Sequence, residues 1–124
     1  MEIDMRMGEK ICLERHVLAS ALFCQCLKEN SEIYYEAKDG LDVNLFSGIR
    51  IRIAEFINKN LVAGQNYETI RAFLIAKTYE DKTLHEEMCQ ILATNTLLRA
   101  GSYQSVIKEI EAIISIQNIQ KGLV

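Results

Sequence analysis

The sequence predicts a mainly α-helical fold, a small bundle of four to five helices. One segment, at about 32–46, stays open between a short β-hairpin and non-strand structure. Three observations carry the expectation. The 124 residues contain no proline, the residue that breaks helix interiors. Apolar residues recur at spacings of three and four through most of the chain. The last three predicted helices are joined by links of one to three residues, which set neighbouring helices side by side and antiparallel.

Residues 1–8 read as a flexible tail ending at Gly8, and 9–124 as a single helical domain. From Glu9 to about Lys28 the spacing predicts a helix. Leu13, Val17 and Ala21 form one row and Leu18, Leu22 and Cys26 another, so the apolar face is wide and the helix well buried. The stretch KENSE ends it. Residues 32–46 hold Asp39-Gly40, a strong hairpin signal, with Ile33, Tyr35 and Ala37 on one face of the first strand. The other reading is a short helix at 31–38, a turn at Asp39-Gly40 and a loop to Ser47.

Ile49, Ile51 and Ile53 alternate with Arg50 and Arg52 as a half-buried strand would. The apolar series nevertheless continues through Phe56, Ile57 and Leu61, too long a run for an ordinary strand. A helix over 47–63 accommodates it, with Ser47 as N-cap and Gly64 as stop. Asn66 caps a helix over 67–81 whose face holds Ile70, Phe73 and Leu74. Thr83 and Glu86 have capping-box spacing before a helix at 84–99 with Leu84, Met88, Ile91, Leu92, Asn95 and Leu98 on one side. Ala100-Gly101 ends it, and Ser102 caps a last helix over 103–120, whose face is Tyr103, Val106, Ile107, Ile110, Ile113, Ile114 and Gln117. Asn95 and Gln117 are polar residues on apolar stripes. Each either fixes register or dimer state, or sits hydrogen-bonded at the stripe's edge.

A formal charge of −3 leaves no overall basic footprint for nucleic acid. The charge is unevenly spread: −4 over residues 1–45, +3 over 46–79 and −2 over 80–124. The basic middle suits an acidic partner or, more plainly, a solvated face. The start, MEIDMRMGEK, lacks the apolar core of a signal peptide, and no apolar stretch is long enough for a bilayer. The expectation is a cytoplasmic protein with no membrane partner. Cys12, Cys24, Cys26 and Cys89 are then reduced thiols rather than a disulfide framework.

One arrangement has metal-ligand spacing. Cys12 and His16 are four apart on the first helix, His85 and Cys89 four apart on the fourth, and facing helices would assemble the two-Cys, two-His set that zinc favours. That is the alternative to a protein with no cofactor. No strained nucleophile turn, oxyanion loop or glycine-rich phosphate loop accompanies these residues, so the expectation is a non-enzyme. A nucleic-acid-binding helix would use Arg50, Arg52 and Lys59. Arg50 and Arg52, however, lie about 200° apart around a helix. The last helix carries Ile116 and Ile119 beside its main stripe, more apolar surface than one face needs. Such a helix is central in the bundle or covered by a second chain. The predicted partner contacts are therefore Tyr103, Ile116 and Ile119, with Arg50, Arg52 and Lys59 as a steering patch. The partner is a protein, a second copy of the chain, or both, and the role is that of a regulator, an inhibitor or a chaperone for a helical cargo.

The stretch LVAGQNYETIRAFLIAKTYEDKT and the later CQILATNTLLR, within residues 61–99, resemble the helix–turn–helix core of the YmgB/AriR-type biofilm and acid-resistance regulators of enteric bacteria. The likeness rests on Gly64 between two helices, Ile70 and Leu74 on the second, and the Leu92–Leu98 run on the third. It implies a short, all-helical, dimeric connector to signalling systems rather than an enzyme. The first 45 residues and the last helix have no counterpart in it, and no functional residue transfers.

Overall fold

The computed structural model describes residues 2–23, 37–94 and 100–122, with side chains from residue 7 and, in the last segment, from residue 103. Five α-helices make up most of these: α1 (Glu2–Phe23), α2 (Ile49–Val62), α3 (Tyr67–Thr78), α4 (Lys82–Leu92) and α5 (Ala100–Gln120). A single 3-10 turn, Val43–Leu45, precedes α2. None of the described residues is in a strand. No helix among them is long and apolar enough to cross a membrane.

The architecture is a bundle built around α1, which packs against all four other helices. Residues Val17 to Leu22 are buried without interruption, so this stretch is enclosed on every side. The two apolar rows of the sequence account for Val17, Leu18, Ala21 and Leu22; small Ala19 and Ser20 let neighbouring helices close over the rest. Ile53 and Ile57 of α2, Ile70 and Leu74 of α3, Met88 and Ile91 of α4 and Tyr103 and Ile110 of α5 complete the core. Each pair is spaced so that one helix face points inward. α5 packs chiefly on α1 and the 3-10 turn, leaving its other side uncovered among the described residues.

Several local expectations are corrected. The helix begins at Glu2, so the segment read as a tail is helical from its second residue. The hairpin at 32–46 does not form over the described part of it, residues 37–46. The turn itself does: the Gly40 N–H donates to the Ala37 carbonyl at 2.9 Å. Gly40 has φ +105°, a conformation that suits glycine. Past the turn, a side chain takes the place of a partner strand. The Leu41 N–H donates to Asn58 Oδ1 at 2.7 Å and the Leu41 carbonyl accepts from Asn58 Nδ2 at 2.6 Å. One amide thus satisfies the backbone pair that a hairpin would have used.

Asn66 caps α3 as expected, accepting from the Thr69 N–H at 2.8 Å, and Gly64 follows the end of α2. The other caps differ. Gly48, not Ser47, stands at the start of α2. Asp81, not Thr83, caps α4, accepting from the Leu84 N–H at 3.0 Å. α5 starts at Ala100, ahead of Ser102. Phe73, expected inside, is exposed. Asn95 lies outside the described residues; Gln117 is partly buried, its Nε2 2.9 Å from the Met7 sulfur of α1, as an edge position requires.

Candidate functional site

The most distinctive chemistry is a set of five charged side chains drawn into the interior. α1 supplies Lys10, Glu14 and Arg15, α2 supplies Arg50 and α4 supplies Glu87. Each of Glu14, Arg50 and Glu87 occupies an apolar stripe. Glu14 lies three, four and seven residues before Val17, Leu18 and Ala21; Arg50 stands in the same relation to Ile53, Ala54 and Ile57; Glu87 falls between Leu84 and Ile91.

Glu14 is wholly buried. Its Oε1 accepts from the Ser47 N–H at 2.7 Å and from Arg50 Nε at 2.9 Å. Its Oε2 accepts from Lys10 Nζ and from Ser47 Oγ, both at 2.8 Å. A carboxylate has about four acceptor positions, and here all are filled. Lys10 also donates to the Leu45 carbonyl at 2.9 Å, which ties in the 3-10 turn. The Ser47 hydroxyl is turned into this cluster instead of capping α2, donating to Glu14 and accepting from Arg50 Nη2 at 3.2 Å, and the charge of Glu14 stands at the start of α2, where the macrodipole favours an anion.

Glu87 receives Arg15 in a two-pronged contact, Nε at 2.8 Å and Nη2 at 3.0 Å, and lies 3.3 Å from Arg50 Nη1. Arg50 therefore bridges both carboxylates. Burial pushes the Glu87 carboxyl up, but the hydrogen bond and charge of Arg15, with those of Arg50, outweigh it and hold its pKa below the ordinary value. The hydrogen bond that Arg15 donates to Glu87 raises the Arg15 pKa in turn, against its own burial. The arrangement locks α1, α2 and α4 together and leaves Glu14 no lone pair for a substrate.

The predicted partner contacts separate. Ile116 and Ile119 are 38% and 63% exposed on α5. Tyr103 is 2% exposed and belongs to the core, because it starts the buried stripe that runs on through Ile110 and Ile113. Arg50 belongs to the ion cluster, so the expected patch of three cations is reduced to Arg52 and Lys59. Arg52 is exposed and 3.4 Å from Asp81. Lys59 lines a groove of about 580 Å³ between α2 and α3, together with Phe56, Phe73 and Lys77, whose Nζ sits 5.1 Å from the Phe56 ring centre. The Leu84 N–H and, to a lesser degree, Arg52 lower the Asp81 pKa.

The four candidate metal ligands are not brought together. Cys12 and Cys89 are both exposed free thiols. His85 Nε2 is 3.6 Å from Cys89 Sγ, whereas His16 Nδ1 is buried without a hydrogen-bond partner among the described residues. Among the described residues no group of three or more His, Cys, Asp or Glu is placed to hold a metal ion. The sequence signal of the ion cluster is charged residues of opposite sign seated on the apolar stripes of three helices, Glu14, Arg50 and Glu87. No protein-family model, curated protein or solved structure matches the chain.

Proposed function

We propose that this protein is a non-enzymatic, cytoplasmic interaction module that acts by burying the outward face of α5 against a second copy or another protein. Its role is that of a regulator, an inhibitor or a chaperone-like binder, and the resemblance to the biofilm and acid-resistance regulators points the same way. One observation carries the reading: α5 packs chiefly on α1 and the 3-10 turn, while Ile116 and Ile119 lie together on its free side. The two expose about as much surface as one whole isoleucine. Covering it yields about 1.5–3 kcal/mol per chain, twice that across a two-fold interface, before the cost of association. Arg52 and Lys59 steer the approach of an acidic partner.

The test is native mass spectrometry of the wild type beside the Ile116→Ser/Ile119→Ser double variant. An oligomer or a co-purified protein in the wild type, lost in the variant, is the expected result. A wild type that stays monomeric and partner-free, or a variant whose association is unchanged, refutes the proposal.

A further inference from the structure

Cys89 stands one turn after His85 on α4, and its Sγ is 3.6 Å from His85 Nε2. The other ring nitrogen, Nδ1, is 3.5 Å from Thr78 Oγ1, at the outer edge of hydrogen-bonding distance. That hydroxyl lies 2.7 Å from the Ile75 carbonyl and donates its proton there, so towards His85 it can only accept. The Nδ1-protonated tautomer of the imidazole fits this contact, and in it the bare lone pair of Nε2 faces the thiol. Nucleophile, base and orienting group then stand in series. The α4 dipole does not help, since Cys89 is near the helix C-terminus, where a negative charge is disfavoured. Any priming of the thiol comes from His85.

Cys12 supplies the internal contrast. It is equally a free, exposed thiol, four residues from a histidine. His16, however, keeps its Nδ1 buried and without a partner among the described residues, so no orienting group sets that ring, and the charge that acts on Cys12 is that of Arg15.

We propose that Cys89 is a modification site, a thiol primed by His85 and Thr78 to exchange with low-molecular-weight disulfides. In the step, the Cys89 S–H bond breaks and its proton passes to His85 Nε2. The thiolate attacks one sulfur of the disulfide, the new S–S bond forms, and the other half leaves as a thiolate. That leaving thiolate takes the proton back from the imidazolium, so one disulfide and one thiol are consumed and one of each is formed. The inference is independent of the α5 interface.

The test uses the full chain, reduced, freed of reductant and incubated with oxidised glutathione near neutral pH, with the adduct on each cysteine-containing peptide followed by mass spectrometry. The Cys89 rate is expected to fall at least about threefold in His85→Gln. In Thr78→Val it falls part of the way, and in both variants the Cys12 rate holds and reports an intact fold. A Cys89 rate unmoved in His85→Gln overturns the proposal.

Discussion

Replacement of Glu14 by glutamine tests the interior ion cluster with almost no change of shape. The carboxylate meets four donors at 2.7–2.9 Å. A glutamine keeps one acceptor oxygen and sets an amide NH2 where the other stood. If that NH2 replaces Oε2, it faces Lys10 Nζ, donor against donor, at a position now 2.8 Å apart. If the amide flips, it faces Arg50 Nε and the Ser47 N–H instead. In both cases Lys10 and Arg50 remain buried with Glu87 as the only nearby anion of the cluster. Removing one member of a buried pair costs about 3–5 kcal/mol, because the other charge is left uncompensated. Against a total stability of about 5–15 kcal/mol that is a large share. With a urea dependence of about 2 kcal/mol per molar, the unfolding midpoint drops by roughly 2 M. Urea titration followed by circular dichroism reads it directly. Combining Glu14→Gln with Arg50→Met should recover part of the loss, a coupling of about 1–3 kcal/mol. A midpoint shift below about 0.5 M at unchanged slope would show that Glu14 is not desolvated as described and would refute the reasoning.

Two further predictions follow from the same geometry. Because the Glu87 pKa is held below its ordinary 4.5, the unfolded chain binds the extra proton first as pH falls; stability is therefore full above 4.5 and declines through the window beneath it. Thermal unfolding of Glu87→Gln should show a flatter acid slope than the wild type, and equal slopes would count against the pairing with Arg15. At the start of α4, Asp81→Ala should cost about 1 kcal/mol through loss of the cap, whereas Thr83→Ala should stay within about 0.5 kcal/mol. The reverse order, measured by urea midpoint, would restore the capping box.

The helices were legible because spacing by three and four is a property of the chain itself. α2 shows why: Ile49 to Ile53 alternates like a strand, but Phe56, Ile57 and Leu61 carry the helical pattern beyond any ordinary strand length. What depended on distant partners was not legible. Asp39-Gly40 signalled a turn correctly, yet whether a strand followed was decided by Asn58, an amide seventeen residues on that occupies the Leu41 backbone. Asp81 and Thr83 are both good caps by type, and the choice between them turns on which side chain meets the Leu84 N–H. Of the site, Ile116 and Ile119 could be placed from periodicity, but the inward turn of Arg50 could not, since Glu14 and Glu87 lie 36 and 37 residues from it in the chain.

The central place of α1 also bears on the order in which the protein can be made. Of the five described helices it leaves the ribosome before the others, and its seat requires α5, which follows them all. The contact of Met7 with Gln117 spans 110 residues. At about 5–20 residues per second, α1 waits roughly 5–20 s before its final cover exists. For that interval a segment that the folded chain buries on every side, Val17 to Leu22, has no native shelter from α5. No described residue lies in a strand, yet the assembly shares the late closure of long-range topologies, and its hazard during synthesis is aggregation through α1.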